Sequence, residues 1–201
     1  MTRPRGPSGH NGRVSPGSYA AFLRSLRAVR RYADRPVPDE VLLDVLDVAR
    51  WTGSSKNTQP WELLVVRDRA TLGDLAGCGP YAGHLAGAAA AIVLLIQDRN
   101  RRFDEGRLAQ SLMLAAWAHG VGSCIASLYP EDNTRRARAL LGVPEAGWLH
   151  TSIALGYPAD PRALRLSQEL AAGRAPVEVP IGRRSLGELV SWERYGRRQS
   201  G

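Results

Sequence analysis

Residues 53–61 read Gly53-Ser54-Ser55-Lys56-Asn57-Thr58-Gln59-Pro60-Trp61 and form the most distinctive stretch of this 201-residue sequence. Hydroxyl and amide side chains are concentrated here, and the Pro-Trp pair leads into a short β-like run at residues 63–66. Asn and Gln offer both hydrogen-bond donors and acceptors, which suits the edge of a flat heteroaromatic ring. A polar turn between two elements often has the same composition, so this stretch alone leaves both interpretations open.

A second distinctive segment precedes it and reads Arg27-Ala28-Val29-Arg30-Arg31-Tyr32. The apolar spacing predicts a helix from Ser18 to about Tyr32, in which Arg27 and Arg30 share one face. Two guanidinium groups on one face repel each other unless an anion lies between them, and a phosphate group fits that role. The alternative is a basic face that contacts only water.

The rest of the sequence alternates helical patterns with single strands. The predicted elements are a helix at residues 42–49, a strand at 91–96, a helix at 104–119, a strand at 123–128, a helix at 134–141, a strand at 148–155 and a short helix at 186–195. The helix at 104–119 is apolar on nearly all sides, which predicts burial in a core or a subunit interface. The alternation indicates an α/β or α+β fold around one sheet.

Basic residues crowd the two ends of the sequence. The chain has 27 Lys and Arg against 19 Asp and Glu, a formal net charge of +8. Residues 1–35 hold eight Arg and one Asp, residues 162–201 hold eight Arg and four Glu, and Lys56 is the only lysine. A biased genome composition explains such Arg usage, and so does a need for planar guanidinium groups that bind an anion.

Several classes of function are disfavoured by what the sequence lacks. It has no Gly-x-Gly-x-x-Gly or phosphate-loop pattern, and its four His lack metal-ligand spacing. No apolar run approaches the ~20 residues of a membrane span, the N-terminus does not resemble a secretory signal, and Cys78 and Cys124 are predicted to be buried thiols. The Arg-rich ends lack interleaved aromatic residues, which disfavours nucleic-acid binding. We therefore expect a cytoplasmic protein whose reactivity comes from a bound cofactor.

Taken in order, the motifs resemble the nitroreductase family of FMN-dependent oxidoreductases. Residues 26–32 correspond to the family's Arg-Arg-Ser-x-Arg-x-Phe/Tyr pattern, Pro36-Val37-Pro38 follows, and residues 53–61 correspond to Pro-Ser-x-x-Asn-x-Gln-Pro-Trp. Further matches lie at residues 112–116, 120–124, 141–145, 154–158 and 182–184. The resemblance covers residues 20–196, so we expect a disordered tail at 1–17, one FMN-binding domain at 18–196 and a C-terminal tail at 197–201.

The resemblance implies an α+β fold with a central mixed sheet flanked by helices, assembled as an intertwined homodimer with FMN at the subunit interface and the helix at 104–119 as the dimer core. The cofactor-binding residues that it implies are Arg27, Ala28 and Arg30 on the phosphate and ribityl side, Arg183 near the phosphate, Ser54, Asn57 and Gln59 from the second subunit, and Ile125, Ala126 and Ser127 along the ring, where a backbone N–H stabilises negative charge on reduced flavin. The sequence departs from the family pattern at Ala28, which lacks the hydroxyl of the usual Ser, and at Gly53, which replaces Pro.

The function implied by the resemblance is hydride transfer from NAD(P)H through FMN to an electron-poor small molecule such as a nitroaromatic or a quinone. No catalytic side chain is expected, because the flavin carries the chemistry. Two alternatives use the same scaffold: a flavin-dependent oxidase or dehydrogenase of a specialised metabolite, and a redox-silent flavin-binding module.

Overall fold

The computed structural model describes residues 16–160, 162 and 183–198. Of the two predicted tails, residues 1–15 and 199–201 lie outside this part of the chain. The elements are, in chain order, α1 (Pro16–Ser25), α2 (Asp39–Arg50), β1 (Trp61–Val66), α3 (Arg69–Ala76), β2 (Ala90–Ile96), α4 (Arg102–Ala118), β3 (Gly122–Ser127), α5 (Glu131–Leu141), β4 (Trp148–Gly156) and α6 (Leu186–Leu189).

The four strands form one sheet in the order β1-β2-β4-β3, and each neighbouring pair is antiparallel. β3 lies at one edge of this sheet. On its outer side it makes a single parallel bridge, which joins Ser123 to Ala28. Among the described residues every strand pair of the sheet is antiparallel, so the sheet there is not the mixed one that was predicted, and the only parallel pairing is this isolated bridge. The α+β class is confirmed.

β2 lies inside the sheet, between β1 and β4, and every one of its residues is apolar. Its side chains alternate between two cores, as the pleat of a strand requires. Ile92, Leu94 and Ile96 pack with α2 and α4 on one face, whereas Ala91 and Val93 pack with α3 and α5 on the other. The fully apolar run therefore marks a strand that is buried on both faces.

The predicted helix from Ser18 to Tyr32 is wrong in its second half, because α1 ends at Ser25. The segment that follows runs beside the sheet, and we call residues 26–33 the arginine segment. The backbone N–H of Val29 donates to the carbonyl of Ser123, and that of Ala33 donates to the carbonyl of Tyr157, both at 2.8 Å. These donors pair with residues far along the chain instead of carbonyls one helical turn earlier, so Arg27 and Arg30 do not share a helix face.

The predicted helix at 104–119 is confirmed as α4, although it is less apolar on its surface than expected. Leu108, Leu112 and Ala116 are buried against α2 and the sheet within this chain, while Arg107 and Gln110 are exposed. Burial inside one chain therefore already accounts for the apolar pattern. The predicted final helix is shorter than expected, since α6 ends at Leu189.

Candidate functional site

Four of the predicted site residues line one cavity, which we call the Arg27 cavity. It lies between the arginine segment, the start of β3 and α4, and its volume is about 290 Å³. Its lining residues are Leu26, Arg27, Ala28, Arg30, Met113, Ser123, Cys124 and Ile125. The extended backbone thus brings Arg27 and Arg30 to the same cavity by a different route from the predicted helix.

The Arg27 cavity is cationic. Burial lowers the pKa of Arg27, and the positive charge of Arg183 lowers this pKa further, so Arg183 lies close enough for its charge to act on Arg27. Within the described residues, no acidic side chain forms an ion pair with Arg30. Two arginine side chains, Arg27 and Arg30, thus line this cavity, and the charge of Arg183 acts on the first of them, which favours an anionic ligand.

Two buried polar atoms at this cavity have no hydrogen-bond partner in the described part of the chain: Nε of Arg27 and Oγ of Ser123. The guanidinium of Arg27 is held in place because its Nη1 donates to the carbonyls of Arg24 and Leu26 at 2.6 and 2.7 Å. Buried polar groups are normally satisfied. An oxyanion such as a phosphate group accepts hydrogen bonds from both orphaned donors, so the donor set fits the predicted phosphate end of the cofactor.

The three predicted residues on β3 contribute in different ways. Ile125 is 44% exposed and lines the Arg27 cavity, whereas Ala126 is buried in the core on the opposite face of the sheet. The backbone N–H of Leu128 donates to the backbone carbonyl of His150 on the neighbouring strand β4. Because the N–H groups of an antiparallel strand point alternately toward and away from its neighbour, those of Ile125 and Ser127 face the outer edge of the sheet. Ala126 therefore offers no side chain to this cavity, and the outward N–H groups are the available donors.

Residues 54–59 form a loop with an unusual backbone. Lys56, Asn57 and Gln59 all have positive φ, between 47° and 53°, a conformation that is uncommon for residues other than glycine. The hydroxyl of Ser54 accepts a hydrogen bond from the N–H of Gln59 at 2.8 Å. The side chains of Asn57 and Gln59 are exposed. The loop is thus held in a costly conformation that presents its amides outward, as functional loops often are.

The base of this loop is attached to α4. The buried hydroxyl of Thr52 donates to the hydroxyl of Ser111 at 2.8 Å. A Cβ built on Gly53 lies 2.9 Å from the guanidinium of Arg107, so the space that a larger residue at 53 needs is occupied by this side chain. This guanidinium is the far end of a flexible, exposed side chain that can move aside, so the contact does not explain why Gly53 stands where the family has Pro.

The predicted loop residues do not meet the predicted arginines within one chain. Gln59 lines a different cavity, of about 360 Å³, with residues at the ends of β1 and β2 and around Pro144. Neither Ser54 nor Asn57 lines the Arg27 cavity. The predicted site residues are thus divided between two places on the chain.

A smaller cavity, of about 180 Å³, adjoins the Arg27 cavity across Ile125, which lines both. Its walls include Glu105, Trp148 and His150. Oε1 of Glu105 and Nε1 of Trp148 are buried and have no partner among the described residues. Burial lowers the pKa of His150, while the charge of Glu105 acts in the opposite direction.

Sequence reasoning missed four of the cavity residues, which are Leu26, Met113, Ser123 and Cys124. Ser123 and Cys124 belong to the motif at 120–124, whose order was recognised, but its side-chain directions depend on pairing with the arginine segment. Cys124 is a free, buried thiol, and its burial raises its pKa, with the charge of Arg30 acting in the opposite direction. This thiol therefore stays protonated near neutral pH and is a poor nucleophile.

This chain is similar to known proteins in both sequence and structure. The model of the nitroreductase family matches residues 23–81 and 78–157. A protein from Archaeoglobus fulgidus, described as an NADH dehydrogenase/NAD(P)H nitroreductase, is 33% identical over 147 residues, which are 69% of this chain and 84% of that protein. An FMN-dependent nitroreductase from Clostridium difficile superposes with a TM-score of 0.65 at 28% identity, covering 70% of this chain and 87% of its own.

A further solved structure, from Desulfovibrio desulfuricans and described as a nitroreductase in complex with FMN, covers 90% of this chain and 99% of its own, with a TM-score of 0.66 and 26% identity. Fold and matches together define an α+β oxidoreductase. The chain belongs to the nitroreductase family. The predicted family and fold are confirmed, and the predicted cofactors agree with those in the names of these proteins.

Two further features are absent from the part of the chain that the structure describes. No helix there is long and apolar enough to cross a membrane. No group of three or more His, Cys, Asp or Glu there is arranged to hold a metal ion.

Proposed function

We propose that this chain binds FMN in the Arg27 cavity and uses it to pass hydride from NAD(P)H to an electron-poor small molecule such as a nitroaromatic or a quinone. The observation that carries the proposal is the convergence of Arg27, Ala28, Arg30 and Ile125 on one cavity, where two buried donors lack partners. When bound, FMN supplies the reversible hydride chemistry.

The protein's own residues bind and orient the cofactor. Arg27 and Arg30, with Arg183 nearby, neutralise the charge of the phosphate, and the carbonyls of Arg24 and Leu26 keep the guanidinium of Arg27 in place. The outward N–H groups of Ile125 and Ser127 stabilise negative charge that develops on the ring, as fixed dipoles do without reorganisation. The apolar side chain of Ile125 excludes water from the same edge.

We further propose that the working unit is a homodimer, with Ser54, Asn57 and Gln59 completing the site of the second copy. The separation of these residues from the Arg27 cavity supports this. So do Trp51 and Phe103, which are 76% and 79% exposed and line one groove beside the loop. Large exposed aromatic side chains of this kind are typical of interfaces.

A mixing experiment tests the shared site. Arg27→Ala and Asn57→Ala each damage one half of every site in a homodimer, but a mixed dimer keeps one intact site because both changes fall in the other. We expect each variant alone to bind FMN weakly and a refolded mixture to regain tight binding. A mixture that binds no better than the separate variants would show that both residues serve the same chain.

The proposed activity is tested with the purified, FMN-loaded protein under anaerobic conditions. We expect flavin absorption bands that NADH or NADPH bleaches and that a nitroaromatic or quinone then restores. Bleaching without reoxidation by either acceptor would contradict the proposed class of acceptor. Bands that neither nucleotide bleaches would favour the two alternatives, in which the flavin is reduced by a metabolite or is not reduced at all. We also expect the protein in the cytoplasm, where free thiols such as Cys78 and Cys124 stay reduced.

A further inference from the structure

Ala28 lacks a hydroxyl, but Ser123, the residue that pairs with it on β3, carries one. Ala28 forms its parallel bridge with Ser123, and the Val29 N–H beside it donates to the Ser123 carbonyl at 2.8 Å. Paired residues on neighbouring strands project on the same face, with backbones about 4.8 Å apart. A hydroxyl on Ser123 therefore lies one strand away from the place where a serine at position 28 would put it.

The hydroxyl of Ser123 lacks a hydrogen-bond partner, and this residue lines the Arg27 cavity. Ser123 is 1% exposed, it lines the Arg27 cavity with Arg27 and Ala28, and its Oγ has no partner in the described part of the chain. A buried hydroxyl without a partner is costly. A ligand that accepts a hydrogen bond there removes this cost.

Ser152 provides an internal comparison. It is also a fully buried serine whose Oγ has no partner among the described residues. It pairs with Ala126 on β3 and is absent from the lining of the Arg27 cavity. Burial and an orphaned hydroxyl are common to both residues, so position beside Arg27 is what distinguishes Ser123.

We propose that Ser123 is a cofactor-binding residue that donates a hydrogen bond to the phosphate of FMN, in place of the hydroxyl that Ala28 lacks. This inference rests on the proposed binding of FMN in the Arg27 cavity. Arg27 and Arg30 supply charge to the phosphate, and Ser123 supplies a short, directional donor from the strand. A hydroxyl donor to the phosphate is thus retained, but it comes from β3 instead of from the arginine segment.

The test compares the affinities of FMN and riboflavin, which differ by the phosphate, by quenching of flavin fluorescence. We expect Ser123→Ala to weaken FMN binding by about tenfold, the effect of one charge-assisted hydrogen bond, and to change riboflavin binding by less than about twofold. Adding Ala28→Ser to Ser123→Ala returns a hydroxyl to the cavity and is expected to restore most of the FMN affinity. Ser152→Ala is expected to leave both affinities unchanged.

Each other outcome has a definite meaning. Wild-type protein that does not bind FMN contradicts the proposed function itself. Wild-type protein that binds FMN, with Ser123→Ala binding equally well, overturns only the role of Ser123, and so does an equal loss for FMN and riboflavin. If Ser123→Ala does not fold, Ser123→Cys replaces it, because a thiol has nearly the same shape but is a weak donor.

Discussion

The close approach of Gly122 to Val29 predicts that one added methyl group disturbs the site. A Cβ built on Gly122 lies 2.7 Å from both Cβ and Cγ2 of Val29 and 2.9 Å from Cγ1. Favourable carbon–carbon contacts are about 3.5–4.0 Å. Gly122→Ala therefore requires β3 and the arginine segment to move apart by about 1 Å.

This movement has an expected cost in stability and in binding. Overpacking of this kind lowers the free energy of unfolding by about 1–3 kcal/mol, which corresponds to a Tm lower by about 3–10 °C for a chain of this size. The shift also separates Ala28 from Ser123 and moves Arg27. Loss of one charge-assisted hydrogen bond to a phosphate raises the Kd for FMN by about tenfold or more.

Thermal unfolding of the apoprotein and titration with FMN measure the two effects, with Gly73→Ala as the matched control. Nothing lies within 4 Å of a Cβ built on Gly73 in α3, so this variant is expected to gain about 0.5–1 kcal/mol from helix propensity. If Gly122→Ala melts within about 1 °C of the wild type and binds FMN equally well, the reasoning from this contact is refuted.

Three further perturbations have defined outcomes. Arg30→Ala is expected to raise the Kd for FMN by about tenfold at low salt, and the difference should narrow as salt screens the charge; an unchanged Kd would remove Arg30 from the site. Arg138, 7% exposed, donates to carbonyls within residues 144–147, so Arg138→Met is expected to lower the free energy of unfolding by about 3 kcal/mol in urea denaturation; a change below about 1 kcal/mol would contradict this. Burial lowers the pKa values of His84 and His150 below the ordinary value of 6.5. As pH falls through 6.5, the unfolded chain therefore binds more protons at these histidines than the folded chain does. Stability should decrease from pH 7 to 5, and His84→Gln with His150→Gln should flatten the profile; an unaltered profile would exclude these histidines.

The sheet and most helices were predictable because the spacing of apolar residues along each segment indicates which of its faces are buried. β2 is apolar at every position because both of its faces are covered, and α2 shows the three-to-four-residue spacing of a half-buried helix. The second half of the predicted first helix failed for a nonlocal reason. The N–H groups of Val29 and Ala33 find their acceptors at Ser123 and Tyr157, far along the chain, and helix propensity cannot register such partners.

Packing glycines made this pairing possible. A Cβ built on Gly156 would lie 2.7 Å from the ring of Tyr32, so the arginine segment fits against β3 and β4 because Gly122 and Gly156 lack side chains. In the sequence these glycines are typical of a turn and of a strand end. That they make room for the side chains of Val29 and Tyr32 depends on which segments become neighbours in the fold.

Residue types and their order were sufficient to identify the family and to select Arg27 and Arg30 as candidate anion-binding side chains, because the charge and geometry of a guanidinium are properties of the residue itself. Packing was required to place Ser123 beside Ala28, to turn Ile125 rather than Ala126 toward the cavity, and to hold Gln59 apart from both. The physical reason is that hydrogen bonds between distant segments set register, and register sets which side chains meet.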